Sequence, residues 1–271
     1  MRKLASIILF FLLLPKSFGQ TGNPPLQISR LTGDFYVYKT FHEYKGTLIS
    51  ANAMYLVTDK GAVLFDAPWD KSQFQPLLDS IKSKHKKDVV MCFATHSHDD
   101  RAGGLEFYRQ KGIKTYTIKL TDEILKSKNE KRAEFVIPND TVFKVGKYKF
   151  EVYYPGKGHA PDNITVWFDN EKVLYGGCFI KSTEANDLGY LGDANVNEWE
   201  ESIKKVQTKF KNPKYIIPGH DDWTDTESLN HTLKLVQEYK NKKASDKLIK
   251  SNFTDHKFFT CISSKSFYRF L

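Results

Sequence analysis

The 271-residue sequence predicts an α/β protein in which helices cover the faces of β-sheets. Short apolar segments exchange with segments of helical spacing in both halves of the chain, as expected for such a layered domain. Histidine, cysteine and acidic residues directly follow several of the short apolar segments. No low-complexity linker or solenoid-length repeat interrupts the chain. We therefore expect a single domain over residues 20–250, followed by a tail, residues 251–271, of unknown role.

Residues 1–19 are predicted to be a cleaved signal peptide. Arg2 and Lys3 provide a positive start, Leu4–Leu14 is apolar, and the segment ends at the small residue Gly19. The apolar run is shorter than the roughly 20 residues that span a bilayer, which disfavours the alternative of a signal anchor. We therefore expect an exported, periplasmic protein without a stable membrane anchor.

The composition limits the possible partners. The formal charge is +9, and it becomes +6 without residues 1–19, which contain three basic and no acidic residues. No basic run interleaves with aromatic residues, so the lysines predict a solvated surface and no nucleic-acid partner. The sequence has only three cysteines, and a small, odd number argues against a disulfide framework. We expect a monomer with a mild attraction for anionic small molecules.

The first elements can be read in chain order. Phe35–Thr40 and Ala53–Asp59 are predicted strands, joined by a hairpin loop over Phe41–Ser50. A short buried strand follows at Ala62–Asp66. Helical spacing of apolar residues predicts a helix over Ser72–His85, with Ser72 as its N-cap.

The remaining elements continue the alternation. Val89–Ala94 is a predicted buried strand, and Asp99 is placed to cap a helix over Arg101–Gln110. Further strands are predicted at Lys114–Ile118, Thr141–Val145, Tyr148–Tyr154, Ile164–Phe168, Val173–Tyr175 and Tyr215–Ile217. Further helices are predicted at Thr121–Lys126, Glu198–Phe210 and Ser228–Lys242.

A cluster of metal-ligand residues directly follows the strand at Val89–Ala94. Residues two apart in an extended chain project to the same side, so His96, His98 and Asp100 are expected to converge. Imidazole and carboxylate groups are ligands that Zn²⁺ selects. The alternative is a polar turn with two hydrogen-bonded histidines.

Three more such residues, each preceded by glycine, follow later strands: His159, Cys178 and His220. Glycine is expected where the backbone turns tightly or approaches another group closely. Each residue alone would fit a structural role. Together with the first cluster, they predict one shared site at the edge of a sheet.

These motifs resemble those of the class B metallo-beta-lactamases, specifically the first subclass and its flavobacterial type. The resemblance covers roughly Gln27–Lys250 and implies a four-layer αβ/βα sandwich, two sheets flanked by helices. It is carried by Thr95-His96-Ser97-His98-Asp99-Asp100, Arg101-Ala102-Gly103-Gly104, Gly158-His159, Asp162-Asn163, Gly177-Cys178 with Lys181, Asp187-Leu188-Gly189-Tyr190, Ala194-Asn195 and Gly219-His220.

The resemblance implies two Zn²⁺ ions per chain and the hydrolysis of penicillins, cephalosporins and carbapenems, which confers antibiotic resistance. The first zinc ion would be bound by His96, His98 and His159, which leaves a fourth position open, as catalytic zinc requires. The second would be bound by Asp100, Cys178 and His220. Two zinc ions roughly 4 Å apart can share one hydroxide as the nucleophile.

The resemblance also implies roles for side chains around the metal ions. Asp100 would orient the nucleophile, Asn163 would stabilise the developing oxyanion, and Lys181 would bind the substrate carboxylate. The alternatives are that Asn163 bonds its own backbone in a turn and that Lys181 is solvated. Asp66 and Arg101 could fix the orientation of ligands or form a surface salt bridge.

Two loops are expected to border the cleft. Thr40–Ser50 matches a mobile flap, although an ordinary hairpin tip is the alternative, and Ser182–Asn195 matches a second loop. One rival function keeps the fold but hydrolyses thioesters or lactones. Such relatives resemble this chain but carry histidine where Arg101 stands and a carboxylate where Cys178 stands. A second rival is a non-catalytic exported zinc-binding protein, which would leave Lys181 unexplained.

Overall fold

Two β-sheets pack face to face in a computed structural model that describes the backbone of residues 25–262 and the side chains of residues 25–248. Helices cover the outer face of each sheet, and one apolar cluster fills each of the three interfaces between layers. The arrangement confirms the predicted αβ/βα sandwich. The predicted signal peptide, residues 1–19, lies outside the described residues.

The first sheet has seven strands in sequence order, antiparallel from the first to the fourth and parallel from the fourth to the seventh. The first strand is mostly polar and lies at the sheet edge, and the apolar pattern of the sequence does not predict it. The strands are β1 (Gln27–Thr32), β2 (Phe35–Tyr44), β3 (Thr47–Thr58), β4 (Gly61–Phe65), β5 (Val89–Phe93), β6 (Lys114–Ile118) and β7 (Phe135–Ile137).

The second sheet has five strands in the order β12-β11-β10-β9-β8. Only its β11–β12 pair is parallel. The strands are β8 (Thr141–Val145), β9 (Tyr148–Tyr153), β10 (Thr165–Phe168), β11 (Val173–Gly177) and β12 (Tyr215–Pro218). Aromatic residues from both sheets, including Phe65, Phe93, Phe150 and Phe168, form the layer between them.

Helices bury their apolar faces on both outer sides. The first four belong to the N-terminal half, and the last two pack on the second sheet. They are α1 (Phe74–His85), α2 (Asp99–Ala102), α3 (Leu105–Gln110), α4 (Lys119–Ser127), α5 (Val196–Lys209) and α6 (Ser228–Ile262). The last helix therefore continues past the predicted end at Lys242 and includes the first residues of the predicted tail. In the part described, no helix has the length and apolar character needed to cross a membrane.

The predicted loop over Phe41–Ser50 is wrong, because β2 and β3 stay paired as far as Tyr44 and Thr47. Only Lys45 and Gly46 form the turn, with φ of 51° and 79°. Two consecutive residues with positive φ are typical of a tight hairpin turn whose twist matches the flanking strands. The segment is thus a paired β-ribbon that reaches the candidate site.

Two predicted helix starts are also wrong. A 3₁₀ turn precedes α1, and the Asp70 carboxylate, not Ser72, accepts a hydrogen bond from a backbone amide there. Asp99 lies inside α2, and the predicted helix over Arg101–Gln110 is interrupted at Gly103 and Gly104. A Cβ on Gly104 would lie 2.6 Å from Cβ of Ala67, so the close approach requires glycine.

Candidate active site

Two metal-ligand candidates project from the extended chain that follows β5. His96 is fully buried and His98 half-buried, and the two rings meet with Nε2 of His96 3.0 Å from Nδ1 of His98. The chain then turns into α2, so Asp100 does not continue the extended pattern that the spacing predicts. The helical turn instead directs its carboxylate to Cys178.

His159, on the loop after β9, completes a group of three histidines. Its ring centroid lies 5.1 Å from those of both His96 and His98, and one nitrogen of each ring lies within 4.8 Å of the others. Burial lowers the pKa of His96 and of His159 well below the usual value. Both imidazoles are therefore neutral at physiological pH, which is the form that binds metal. Nδ1 of His159 is buried and has no hydrogen-bond partner among the residues that the structure describes.

A second group combines Asp100, Cys178 and His220. The Cys178 thiol lies 3.2 Å from both Oδ2 of Asp100 and Nε2 of His220, and these two atoms are 3.4 Å apart. Tetrahedral zinc places its N, O and S ligand atoms roughly 3.3–3.5 Å apart. The spacing and the donor chemistry therefore fit a metal ion. Asp100 and Cys178 also lie within 4.8 Å of His96, so the two groups adjoin.

Neighbouring backbone groups hold the second group in place. Nδ1 of His220 donates a hydrogen bond to the carbonyl of Ser50, at 2.6 Å, which leaves Nε2 free to act as a ligand. A Cβ on Gly219 would lie 2.5 Å from the backbone nitrogen of Cys178. The glycine predicted to allow close approach is thus required here, because the ends of β11 and β12 converge.

Arg101 lies under the second group as a fully buried cation. Its guanidinium donates to the Cys178 sulfur at 3.0 and 3.2 Å and to the carbonyls of Asn52 and Gly219. It also lies 3.1 Å from the Asp100 carboxylate and 3.6 Å from the equally buried Asp66. A surface salt bridge, one interpretation of the sequence, is therefore wrong.

The charge of Arg101 affects the pKa of both Asp100 and Asp66. Burial alone disfavours the ionised form of Asp100, but Arg101 and a hydrogen bond with His220 outweigh it and hold the Asp100 pKa well below the usual value. Burial raises the pKa of Asp66 to about 6, although Arg101 and hydrogen bonds from Tyr175 and Thr95 oppose the rise. The Asp66 carboxylate accepts from the Thr95 amide at 2.6 Å and so anchors the chain just before His96.

The buried side chain of Asn163 is occupied by its own loop. Its amide nitrogen donates to the carbonyl of Gly156 at 2.9 Å, and its oxygen accepts from the backbone of Ala160 at 3.0 Å. Asn163 thus closes the loop that presents His159, the alternative that its residue type allowed. Its amide nitrogen carries two hydrogens and only one is used here, so the oxyanion-binding role stays a prediction.

Lys181 lies on the wall of the cleft, only 8% exposed. Its ammonium group is 5.5 Å from the ring centroid of Trp199, and among the side chains described no acid forms a salt bridge with it. Burial lowers its pKa, and the negative charges of Cys178 and Asp100 oppose that effect. The alternative of a solvated lysine is therefore wrong, because Lys181 is a buried cation on the lining of the cleft.

Members of both groups line one open cleft of about 1060 Å³ together with Lys181: His98 and His159 of the first group, and Asp100 and His220 of the second. Four further lining residues were given no individual role from the sequence. His42 on the β-ribbon stacks on Trp69 at 4.8 Å, and Trp69 lies 6.2 Å from the His220 ring. Tyr190 contacts the His98 ring edge-on, and Asp193 accepts from Nε2 of His98 at 2.9 Å. His42, Tyr190 and Asp193 lie on the two segments predicted to border the cleft, whereas only the tertiary structure brings Trp69 there.

The fold and the paired ligand groups define a metal-dependent hydrolase. Residues 46–220 match the Metallo-beta-lactamase superfamily, and the chain belongs to this family. It is 50% identical over 231 residues to the type 2 metallo-beta-lactamase of Elizabethkingia meningoseptica, covering 85% of this chain and 92% of the relative. It is 46% identical over 213 residues to metallo-beta-lactamase IND-1 of Chryseobacterium indologenes, covering 79% and 87%.

Comparison with solved structures leads to the same family. The crystal structure of metallo-beta-lactamase IND-7 matches with a TM-score of 0.76 and 46% identity, over 78% of this chain and 98% of that chain. A metallo-beta-lactamase from Pontibacter korlensis also matches with a TM-score of 0.76, at 33% identity, over 78% and 99%. The predicted flavobacterial-type resemblance is confirmed, and the family implies metal ions.

Proposed function

We propose that this enzyme hydrolyses the beta-lactam ring of penicillins, cephalosporins and carbapenems by means of two zinc ions, and thereby confers resistance. The observation that carries the proposal is the pair of adjoining ligand groups in a cleft with an unpaired buried lysine. The named relatives support the same substrate class.

The donor sets suggest how the metal ions are held. We infer that His96, His98 and His159 bind one zinc ion, and that Asp100, Cys178 and His220 bind the other. Zinc lowers the pKa of bound water to about 7 and so supplies a hydroxide nucleophile near neutral pH. The thiolate of Cys178 makes the second site softer than a site built from carboxylates, which favours zinc.

The protein's own residues orient and position the reacting groups. Asp193 holds the His98 ring and Ser50 holds the His220 ring through hydrogen bonds to their second nitrogens. Asp100 has one carboxylate oxygen near Cys178 and His220, and we propose that Asp100 also orients the attacking water. Lys181 pairs with the carboxylate that bicyclic lactams carry next to the ring nitrogen.

Replacing Lys181 tests its role. Lys181→Glu is expected to raise KM for a penicillin about tenfold or more, because a charge-assisted hydrogen bond is lost and repulsion replaces it. Zinc content should stay at the wild-type value. Lys126→Glu, an equal charge change at an exposed position of α4, is the control and should leave KM unchanged. Loss of zinc in Lys181→Glu, or an unaltered KM, would contradict the assignment.

Cys178→Ser separates the two metal sites. A hydroxyl is a much poorer zinc ligand than a thiolate, so the affinity for the second ion should fall at least about tenfold. The three-histidine site should remain occupied. Zinc titration monitored by a chelating dye measures both affinities. Cys92→Ser changes a buried thiol in β5 and serves as the control. Two unaltered sites in Cys178→Ser would refute the ligand assignment.

Hydrolysis assays distinguish the proposed substrate class from the two rival functions, a thioester or lactone hydrolase and a non-catalytic zinc-binding protein. Steady-state hydrolysis of a penicillin, a cephalosporin and a carbapenem is measured beside that of a thioester and a lactone, all with zinc-loaded protein. We expect turnover of the three beta-lactams only. Thioester or lactone turnover without beta-lactam turnover would favour the first rival, and no turnover at all would favour the zinc-binding protein.

We further infer export to the periplasm on the basis of the signal-like residues 1–19, and a monomer remains our expectation for the oligomeric state. Cell fractionation with N-terminal sequencing tests the export and the cleavage, and the expected mature protein begins at Gln20. Sedimentation measures the oligomeric state and so tests whether the protein is a monomer.

A further inference from the structure

The Lys181 ammonium group lacks the partners that a buried cation usually has. The backbone of Lys181 is fixed, because its amide donates to the Thr232 hydroxyl at 2.7 Å. The ammonium nitrogen, in contrast, has no hydrogen bond or salt bridge to any residue within 25–248, the range whose side chains are described. Buried charges are normally paired with an opposite charge. The position of this ammonium group therefore depends on another kind of contact.

The Trp199 ring of α5 provides that contact. Trp199 is fully buried, and its ring centroid lies 5.5 Å from Nζ of Lys181, within the roughly 6 Å over which an aromatic face attracts a cation. The loop after β11 also passes close, since a Cβ on Gly189 would lie 3.7 Å from the same Nζ. The ammonium group thus lies beside an aromatic ring and loop backbone, and not beside a paired carboxylate.

The Trp199 ring is itself held firmly. Its Nε1 donates to the carbonyl of Phe179 at 3.1 Å, and the two rings stack with centroids 6.3 Å apart. A Cβ on Gly158 would lie 2.9 Å from Cδ1 of Trp199, so the loop that carries His159 packs directly against the ring. Phe179 precedes Lys181 by two residues. Trp199 therefore contacts the segment that carries the lysine at two points, the backbone and the ammonium group.

A second tryptophan of the same apolar cluster shows what differs at Trp199. Lys172 lies over the Trp167 ring, also at 5.5 Å, but its ammonium group pairs with Asp169 at 2.7 Å. Lys172 is not part of the cleft lining, whereas Lys181 is. A carboxylate partner would neutralise an ammonium group and compete with an incoming anion. An aromatic face attracts the cation but leaves its charge and its N–H donors available.

We propose that Trp199 is a positioning residue for substrate binding, whose ring holds the Lys181 ammonium group by a cation–π interaction and leaves it free to bind the substrate carboxylate. The proposal rests on the proposed function and deepens it. A lysine side chain that is already ordered loses less rotamer freedom when it binds a ligand, which strengthens binding without a new contact.

Removal of the aromatic face tests the proposal. In Trp199→Leu, KM for a penicillin is expected to rise about fivefold to tenfold with kcat changed less than twofold, as for loss of a desolvated cation–π pair. For the methyl ester of the same penicillin, which lacks the carboxylate charge, KM should change less than twofold. Zinc content should stay at the wild-type value. Trp167→Leu removes the comparable ring over Lys172 and is the control, with both KM values within twofold of wild type.

Fluorinated tryptophan at position 199 tests the same contact without a change in packing, and so covers the case that Trp199→Leu does not fold. Fluorine withdraws electron density from the ring face and weakens its attraction for a cation. From mono- to di- to trifluorinated tryptophan, KM for the penicillin should rise stepwise, by about twofold to fivefold in total, and KM for the ester should stay constant. In a Lys181→Gln background the series should have no effect, because the cation is absent.

Equal changes for the acid and the ester, or an unaltered KM throughout the fluorinated series, would overturn the proposal. Calorimetric titration with the ring-opened penicillin and its methyl ester gives a reading without turnover. If wild-type protein hydrolyses no penicillin, the proposed function fails, and the role of Trp199 is judged by this titration alone. Tighter binding of the acid that is lost stepwise in the fluorinated series supports the role. Equal affinities in wild type, or a preference that survives the series, reject it.

Discussion

Removal of all divalent metal ions is expected to lower the rate of beta-lactam hydrolysis by about a thousandfold or more. Loss of the Lewis acid and of the ionised nucleophile removes several kcal/mol of transition-state stabilisation, and about 4 kcal/mol corresponds to that factor. The measurement is kcat/KM for a carbapenem before and after exhaustive dialysis against a chelator. Readdition of zinc should restore the rate.

The fold should survive this treatment, because three apolar layers and not the metal ions hold the two sheets together. Circular dichroism and a denaturant titration of the metal-free protein provide the control. Full activity in protein shown to contain no metal would refute the proposed mechanism. Lost activity with a collapsed fold would instead show that the ions are structural.

Arg101→Ala is expected to lower the free energy of unfolding by about 3–5 kcal/mol, because it leaves uncompensated buried charge. The change removes the guanidinium that lies between Cys178, Asp100 and Asp66 and opens a cavity of the size of its side chain. Denaturant unfolding of metal-free wild-type and variant proteins measures the difference without a contribution from metal binding.

Arg109→Ala is the matched control. Arg109 is about half exposed in α3, and its removal should change the stability by less than about 0.5 kcal/mol. If the two variants were equally stable, Arg101 would not compensate the buried acids. Arg101→Ala should also weaken zinc binding at Cys178, because Arg101 donates two hydrogen bonds to its sulfur.

The ligand residues could be found from local sequence. The run from Val89 to Ala94 has the character of a buried strand, and the histidines follow it at a spacing that makes extended side chains converge. A glycine precedes each of the later ligands, His159, Cys178 and His220. At Gly219 the reason is visible, because the backbone there passes close to Cys178. The layered sandwich could be predicted from the alternation of strands and helices. The periodicity of apolar residues in each element indicates which of its faces is buried.

The site's other contacts are long-range and leave no local trace. Asn163 has the residue type of an oxyanion donor, yet only the folded loop shows that its oxygen and one of its amide hydrogens are already bonded. Asp100 was expected to converge with His96 from an extended chain, and its carboxylate does lie within 4.8 Å of a ligand atom of His96, but it projects from the short helix α2. Phe41–Ser50 was predicted as a loop because Gly46 marks a turn, but the local sequence does not reveal how far the two strands stay paired.

The amino-acid order alone determined which residue types are available at the strand ends and which faces of the elements are apolar, because these depend on spacing along the chain. Only the tertiary structure decided which side chains meet. Arg101 lies beneath Cys178, 77 residues away, and Trp69 lies beside the His220 ring because independent elements pack together. Burial then determines charge, since a group's pKa depends on the solvent and the neighbours that packing leaves to it.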